Sequence, residues 1–241
     1  MGDKGKSIAV MQPYIFPYLG YFQLINAVDE FVFYDDVNYI KQGWVNRNRI
    51  LDKKEAIYFT IPLKKASSFK PINETLINSQ LYFKWKKKFI KSIEQGYSKA
   101  PYFSDIYKLI VDVFNNSNTI SISDLAIISI ESISNYLKLN VIFHKSSESL
   151  RDTQSQERTT RLLNICKKLN AENYINSIGG KELYDKSDFK KNDIDLYFLK
   201  PFLKPYKQFD NDFVSGLSII DVLMFNSKEE VIEMINQYEL L

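Results

Sequence analysis

Residues 7–36 read SIAVMQPYIFPYLGYFQLINAVDEFVFYDD, and the architecture follows from how this stretch is parsed. Ile8 to Met11 is a short apolar run stopped by Gln12-Pro13. Tyr18 to Val28 carries helical patterning, and Phe31 to Tyr34 is a second apolar run stopped by Asp35-Asp36. Strand, helix, strand in so short a span predicts an α/β protein with a mainly parallel sheet.

Working outward, Trp44 to Ile50 and Ile57 to Ile61 read as extended, the second closed by Pro62, and Lys64 to Asn73 as a surface loop. From Leu81 the period changes. Leu81, Trp85, Phe89 and Ile93 recur every four residues as one helical stripe ending near Gly96, with Lys84, Lys86, Lys87, Lys88 and Lys91 on the solvated side. Ile106, Leu109, Ile110 and Val113 mark another helix. Ser121, with Asp124 three residues on, predicts a capped third that turns Ala126, Ile130, Ile133 and Leu137 inward. Asn140 to Phe143 then reads as a strand, Ser147 to Gln156 as a polar loop, and Leu162, Ile165, Cys166 and Leu169 as the buried face of a helix. A strand at Tyr174-Ile175 follows, then a last strand at Ile194 to Leu199 and closing helices at Leu217 to Phe225 and Glu229 to Tyr238. The expectation is one domain over 1–241: a doubly wound, Rossmann-like sheet with a helical subdomain at roughly 81–139.

Composition narrows the function. The chain has 241 residues, 45% apolar and 25% charged, enough for a sizeable core. A net charge of +3, from 32 basic and 29 acidic side chains, gives no reason to expect nucleic acid as a substrate or an anionic membrane surface as a partner. One Cys (Cys166) and one His (His144) exclude an intramolecular disulfide and zinc sites built from several such ligands. Neither a membrane-spanning run nor a secretory h-region is expected, which places the protein in the cytoplasm.

Open α/β sheets bind ligands at the carboxyl ends of their strands. The first such edge is Gln12-Pro13-Tyr14-Ile15-Phe16-Pro17-Tyr18-Leu19-Gly20-Tyr21, where Pro17 at the first helical position would leave the amides of Tyr18, Leu19 and Gly20 open to an anion. The alternative is a stiff turn with its aromatics buried beneath it. Asp35 and Asp36 follow the second strand and suit a sugar hydroxyl, a proton from an attacking amine, or Mg²⁺; the plainer reading makes one of them a turn cap. Lys41 and Trp44 to Arg49 form a second cluster, with Trp44, Asn46 and Asn48 on one face of an extended segment and Arg47 and Arg49 on the other. Arg is scarce in this Lys-rich chain, so Arg47 points to bidentate contact with phosphate or carboxylate, against the alternative of a solvated edge. Gly179-Gly180 suits either close backbone approach to a ligand or a plain turn. His144 has no placed partner and reads as structural. Neither G-x-G-x-x-G nor G-x-x-x-x-G-K-[ST] occurs, and the sequence leaves the cofactor unknown.

Met11-Gln12-Pro13 with Pro17-Tyr18, Gly20-Tyr21-Phe22, Asp35-Asp36-Val37 and Trp44 to Arg47 resembles the WbqC-like family of bacteria over nearly the full length. Ala100-Pro101-Tyr102-Phe103, Arg161-Leu162, Gly179-Gly180, Tyr206 and Leu217 to Asp221 fit the same pattern. Many relatives have His-Gln-Pro where this chain has Met11-Gln12-Pro13, so the resemblance gives position 11 no role as a shared base. The resemblance implies a place in gene clusters for O-antigen and other surface polysaccharides, where sugars are activated as nucleotide diphosphates.

The leading expectation is therefore a transferase that N-acylates or aminoacylates the amine of a nucleotide-linked amino-deoxy sugar. Asp35 or Asp36 would take the amine proton, the start of the first helix with Lys41 and Arg47 would hold phosphates, and Tyr21 and Trp44 would stack on base or sugar. Cys166 lies on an apolar helix face, so direct transfer without an acyl-enzyme is expected. Two alternatives stand beside it: a non-catalytic nucleotide-sugar or glycan-binding accessory protein, and a nucleotidyl- or glycosyltransferase in which the two acids hold a metal.

Overall fold

The computed structural model describes residues 5–116, 121–155, 157–210 and 212–241. Its strands are β1 (Ser7–Met11), β2 (Glu30–Phe33), β3 (Arg47–Asp52), β4 (Glu55–Thr60), β5 (Ile142–Lys145), β6 (Asn173–Ser177), β7 (Asp195–Pro201) and β8 (Tyr238–Leu240). Its helices are α1 (Leu19–Asn26), α2 (Ser79–Tyr97), α3 (Phe103–Asn116), α4 (Ile122–Leu137), α5 (Ser146–Ser149), α6 (Arg158–Lys168), α7 (Lys186–Lys190), α8 (Ile219–Phe225) and α9 (Lys228–Ile235).

Six strands form one sheet in the order β5-β2-β1-β6-β7-β8, parallel except for β8, while β3 and β4 pair as a separate antiparallel hairpin. Alternating side chains feed two cores, one on each face of the sheet. Ala9, Phe31, Phe33 and Ile175 pack with α1, the middle helices, α8 and α9. Ile8, Val10, Val32 and Tyr174 pack with Leu162, Ile165 and Cys166 of α6 and Phe189 of α7. A parallel sheet needs this double cover, and the fold is α/β with a mostly parallel mixed sheet.

α1 is buried from Leu19 through Ile25, because it lies between the sheet and the carboxyl-terminal helices. Its one polar core residue, Gln23, donates from Nε2 to the carbonyls of Phe202 (3.1 Å), Met234 (2.9 Å) and Gln237 (2.8 Å), tying the chain's end to this helix. Between β2 and β5 come the hairpin and α2 to α4. As expected, Ser121 caps α4, accepting from the Ser123 amide.

Several boundaries differ from the sequence reading. α1 stops at Asn26 because the Asp29 amide pairs with the Ser7 carbonyl and draws the chain to the sheet. Ser147 to Gln156 holds most of α5 and a 3-10 turn at Arg151–Thr153, since the Asp35 carboxylate accepts from the Ser147 amide and supplies a cap from a distant element. Gln156 lies outside the described residues. The last helix ends at Ile235, and Tyr238–Leu240 adds an edge strand antiparallel to β7.

Candidate functional site

Strand order reverses at β1, with β2 and β5 on one side and β6 and β7 on the other. The crevice outside the carboxyl ends of β1 and β6 is therefore where this architecture places a ligand. Three segments converge there. The Ile15 amide donates to the Val45 carbonyl at 3.1 Å, and Asn48 Nδ2 donates to the carbonyls of Ile15 (3.1 Å) and Phe16 (2.5 Å). The Ser218 amide donates to the Arg49 carbonyl (2.9 Å), Ser218 Oγ to the Phe16 carbonyl (2.7 Å) and the Ile219 amide to the Pro17 carbonyl (2.8 Å). The turn after β1, the start of the hairpin and the start of α8 are thus one hydrogen-bonded body.

Within it the expected anion cradle is not formed. The first residue of α1 is Leu19 and its N-cap is the extended Tyr18, so Pro17 lies two positions before the helix. A Cβ on Gly20 would stand 2.5 Å from the Tyr18 ring, which means that ring covers the helix start. Pro13 and Pro17 are buried, and Gln12 is half-buried with its carbonyl accepting from Tyr21 Oη at 3.1 Å. Tyr21 is 2% exposed and meets Tyr14 and Phe31 edge-on or tilted, so it is a core ring, and the role of stacking on a ligand is corrected.

Asn46 is also structural: its Oδ1 accepts from Tyr39 Oη and its Nδ2 donates to the Ile61 carbonyl, both at 2.8 Å. The exposed part of this cluster is different. Trp44 (43% exposed) stacks on Tyr58 of β4 (57%) at 6.2 Å and 28° between planes. The Arg47 guanidinium lies 5.6 Å from the Trp44 ring and 5.3 Å from Tyr58, and is fixed by bonds from Nε to the Gly43 carbonyl (2.9 Å) and from Nη2 to the Gln42 carbonyl. Lys41 stands exposed just before it. The result is a flat aromatic surface with a fixed cation beside it, suited to an aromatic base or the apolar face of a sugar next to an anion. Sequence reasoning missed Tyr58. Cross-strand pairing places it opposite Arg49, and hairpin register is the signal that finds it.

Asp35 and Asp36 follow the end of β2 and are tied to other elements. Asp35 is 2% exposed; its Oδ1 accepts from the Ser147 amide (2.9 Å) and its Oδ2 from Ser147 Oγ (2.6 Å). Ser146 Oγ bridges the two acids, 3.1 Å from Asp35 Oδ1 and 2.5 Å from Asp36 Oδ1. Asp36 Oδ2 accepts from Arg161 Nη2 at 2.6 Å, with side-chain exposures of only 7% and 6%, and the Arg161 guanidinium sits 4.6 Å over the Tyr34 ring. Burial pushes the Asp36 carboxyl up. The hydrogen bonds from Arg161, Ser146 and Gln154, with the Arg161 charge, outweigh it and hold the group below the usual carboxylate range. A general base works best with a pKa near the working pH. The lowered pKa and the ion pair count against Asp36 as that base, since Asp36 neutralises a buried arginine, while Asp35 joins β2 to α5 through Ser147. In sequence Arg161 stands out only through the Arg161-Leu162 segment that fits the family pattern, with no partner assigned.

A Cβ on Gly180 would meet Asn176 Nδ2 at 2.5 Å, so this glycine admits the Asn176 side chain, whereas Gly179 is exposed and a Cβ there would meet only Ser177 Oγ, at 4.0 Å. Next to them lies an open depression of about 590 Å³, lined among others by Thr159, Lys181, Tyr184 and Phe198. His144, opposite Val32 in the β2–β5 register, has its Nε2 2.7 Å from Oε2 of Glu30, the first residue of β2. Burial pushes the Cys166 thiol up to about 12. Asp221, fully buried on α8, accepts from Tyr97 Oη (2.8 Å), Tyr206 Oη (2.5 Å) and Gln208 Nε2 (2.6 Å). No cation is among these partners, and burial pushes this carboxyl up. Beside it, Tyr18, Tyr206 and Gly216 line a cavity of about 20 Å³, room for one water. Among the described residues no three His, Cys, Asp or Glu side chains group closely enough to hold a metal ion. No helix among them is long and apolar enough to cross a membrane.

A mostly parallel α/β sheet with a composite edge above its first strand defines the class. Within it, the model of the WbqC-like protein family matches residues 12–233, and the chain belongs to that family. An uncharacterized protein of Mycobacterium tuberculosis, Rv1507c, is 30% identical over 223 residues, covering 92% of this chain and 94% of that protein. No solved structure matches.

Proposed function

We propose that the protein is a transferase of bacterial surface-polysaccharide biosynthesis that binds a nucleotide-linked amino-deoxy sugar and moves an acyl or aminoacyl group onto its amine. The observation that carries this reading is the Trp44–Tyr58 pair with Arg47 fixed against both rings. In it the rings take the base or sugar face, and Arg47, with Lys41 nearby, meets the diphosphate. The amine nitrogen bonds to the acyl carbonyl carbon, the bond from that carbon to the donor's leaving group breaks, and the amine proton passes through water to the departing group. The buried Cys166 thiol, pushed up to about 12, supports direct transfer with no thioester on the enzyme.

A second reading, an accessory protein that holds nucleotide sugar or glycan without chemistry, is favoured by the ties on both acids at the end of β2. One experiment separates the two. Thymidine, uridine and guanosine diphosphate amino sugars are screened by thermal shift, since a ligand of the folded state alone raises its Tm, and each that binds is then incubated with acyl donors and weighed by mass spectrometry. A mass gain matching one acyl group supports the transferase; a shift without product supports an accessory protein that holds nucleotide sugar; no shift with any nucleotide sugar overturns both of these and leaves the glycan-holding role.

A further inference from the structure

Between Lys64 and Lys91 the chain carries eight lysines and one acid, Glu74. That segment holds a net +7 in a protein of net +3, so the remainder is net negative and the average conceals a one-sided distribution. Lys84, Lys87, Lys88 and Lys91 recur at i, i+3, i+4 and i+7 along α2, and all are exposed on one side of it, opposite the buried Phe89, Ile93 and Tyr97. Among the described residues neither these four nor the exposed Lys64, Lys65 and Lys70 form an ion pair. The loop bearing the last three is held to the segment entering α2: the Lys64 amide donates to the Leu76 carbonyl and the Asn78 amide to the Pro62 carbonyl, both at 2.8 Å.

Large apolar side chains stand among these charges. Phe69 in the loop is 91% exposed, and Phe83 and Leu81 in the first turns of α2 are 74% and 55% exposed. Water is a poor environment for three such groups, and charge without counter-ions is a poor neighbour for a protein core. An anionic bilayer surface satisfies both.

We propose that α2 and the 64–70 loop form a docking face for an anionic lipid surface, with the lysines meeting headgroups and Phe69, Phe83 and Leu81 entering the headgroup–acyl boundary. Long lysine stems suit this arrangement, since they lie along apolar surface while the ammonium stays in the polar layer. A nucleic acid fits less well. The segment has no arginine to grip phosphate with a planar fork, and Leu81 offers no stacking face to a base.

The test is co-sedimentation of the full chain with vesicles of phosphatidylcholine alone or mixed with phosphatidylglycerol. Expected is pelleting with the mixed vesicles at low salt, release at high salt, and none with phosphatidylcholine. The combined variant Lys84→Gln, Lys87→Gln, Lys88→Gln and Lys91→Gln should weaken binding about 100-fold or more, because each lysine near an anionic surface contributes roughly fivefold. Phe69→Ser with Phe83→Ser should weaken it while leaving the salt dependence in place. All six positions are exposed, so an unchanged thermal unfolding curve serves as the control for folding. No pelleting with mixed vesicles, or binding undiminished by the lysine substitutions, overturns the proposal. Binding of a DNA oligonucleotide through the same lysines without vesicle binding overturns it too, by giving the face to nucleic acid.

Discussion

Two buried carboxylates respond to pH in opposite senses. Asp36 has a folded pKa lowered from 3.8, so its contribution to stability is present above that value and is lost as pH falls through the folded pKa. Asp36→Asn leaves the Arg161 charge buried without a counter-ion and should cost about 3 kcal/mol at neutral pH. In urea unfolding, the gap between variant and wild type should shrink once pH drops below 3.8. Asp221 has a folded pKa raised above 3.8, so its contribution is complete below that value and is lost as pH climbs through the folded one. Asp221→Asn turns an amide toward Gln208 Nε2, two donors facing each other, and should cost roughly 1–3 kcal/mol at low pH. That cost should narrow as pH rises toward neutrality, because the amide does not titrate. A gap that widens instead would show the carboxylate to be stabilised by a partner other than Tyr97, Tyr206 and Gln208.

At the scale of elements, two loops rest on single glycines in different ways. Gly216 has a φ of +66°, and a Cβ there would stand 2.8 Å from Arg49 Nη2, the donor that holds the Gly216 carbonyl at 2.9 Å. Gly216→Ala should cost about 1–2 kcal/mol by combining backbone strain with loss of that tie. Gly179→Ala makes only an ordinary contact with Ser177 Oγ at 4.0 Å and should stay within about 0.5 kcal/mol of wild type. Denaturant titration of the two variants checks the contrast.

The same elements show what was legible in sequence. The apolar runs at Ile8 to Met11 and Phe31 to Tyr34 mark β1 and β2 because local pattern and tertiary burial agree there. The partners of Asn46 and Asn48 were not legible, because an asparagine that serves distant carbonyls looks the same in sequence as one that serves a ligand. The α5 turn was hidden because its cap, Asp35, lies 111 residues from Ser146. β8 escaped because three residues paired to one edge carry no periodicity.

For the molecule as a whole, the reversal of strand order at β1 explains why the turn after β1, the hairpin and the start of α8 meet although they are far apart in sequence. Trp44 and Tyr58, with the half-buried Arg47 against them, form an aromatic surface of that body open to solvent. The chain has two tryptophans, and Trp85 is packed in a stack between Tyr82 and Phe89. In a Trp85→Phe protein, fluorescence therefore reports Trp44 alone. Titration of that protein with nucleoside diphosphate amino sugars is expected to change Trp44 emission saturably, at concentrations that also raise Tm, and Arg47→Ala should weaken the response at least tenfold, the effect of losing about 1.4 kcal/mol from a charge-assisted contact. A nucleotide sugar that raises Tm while leaving Trp44 emission unchanged would contradict the assignment of this surface as the binding site.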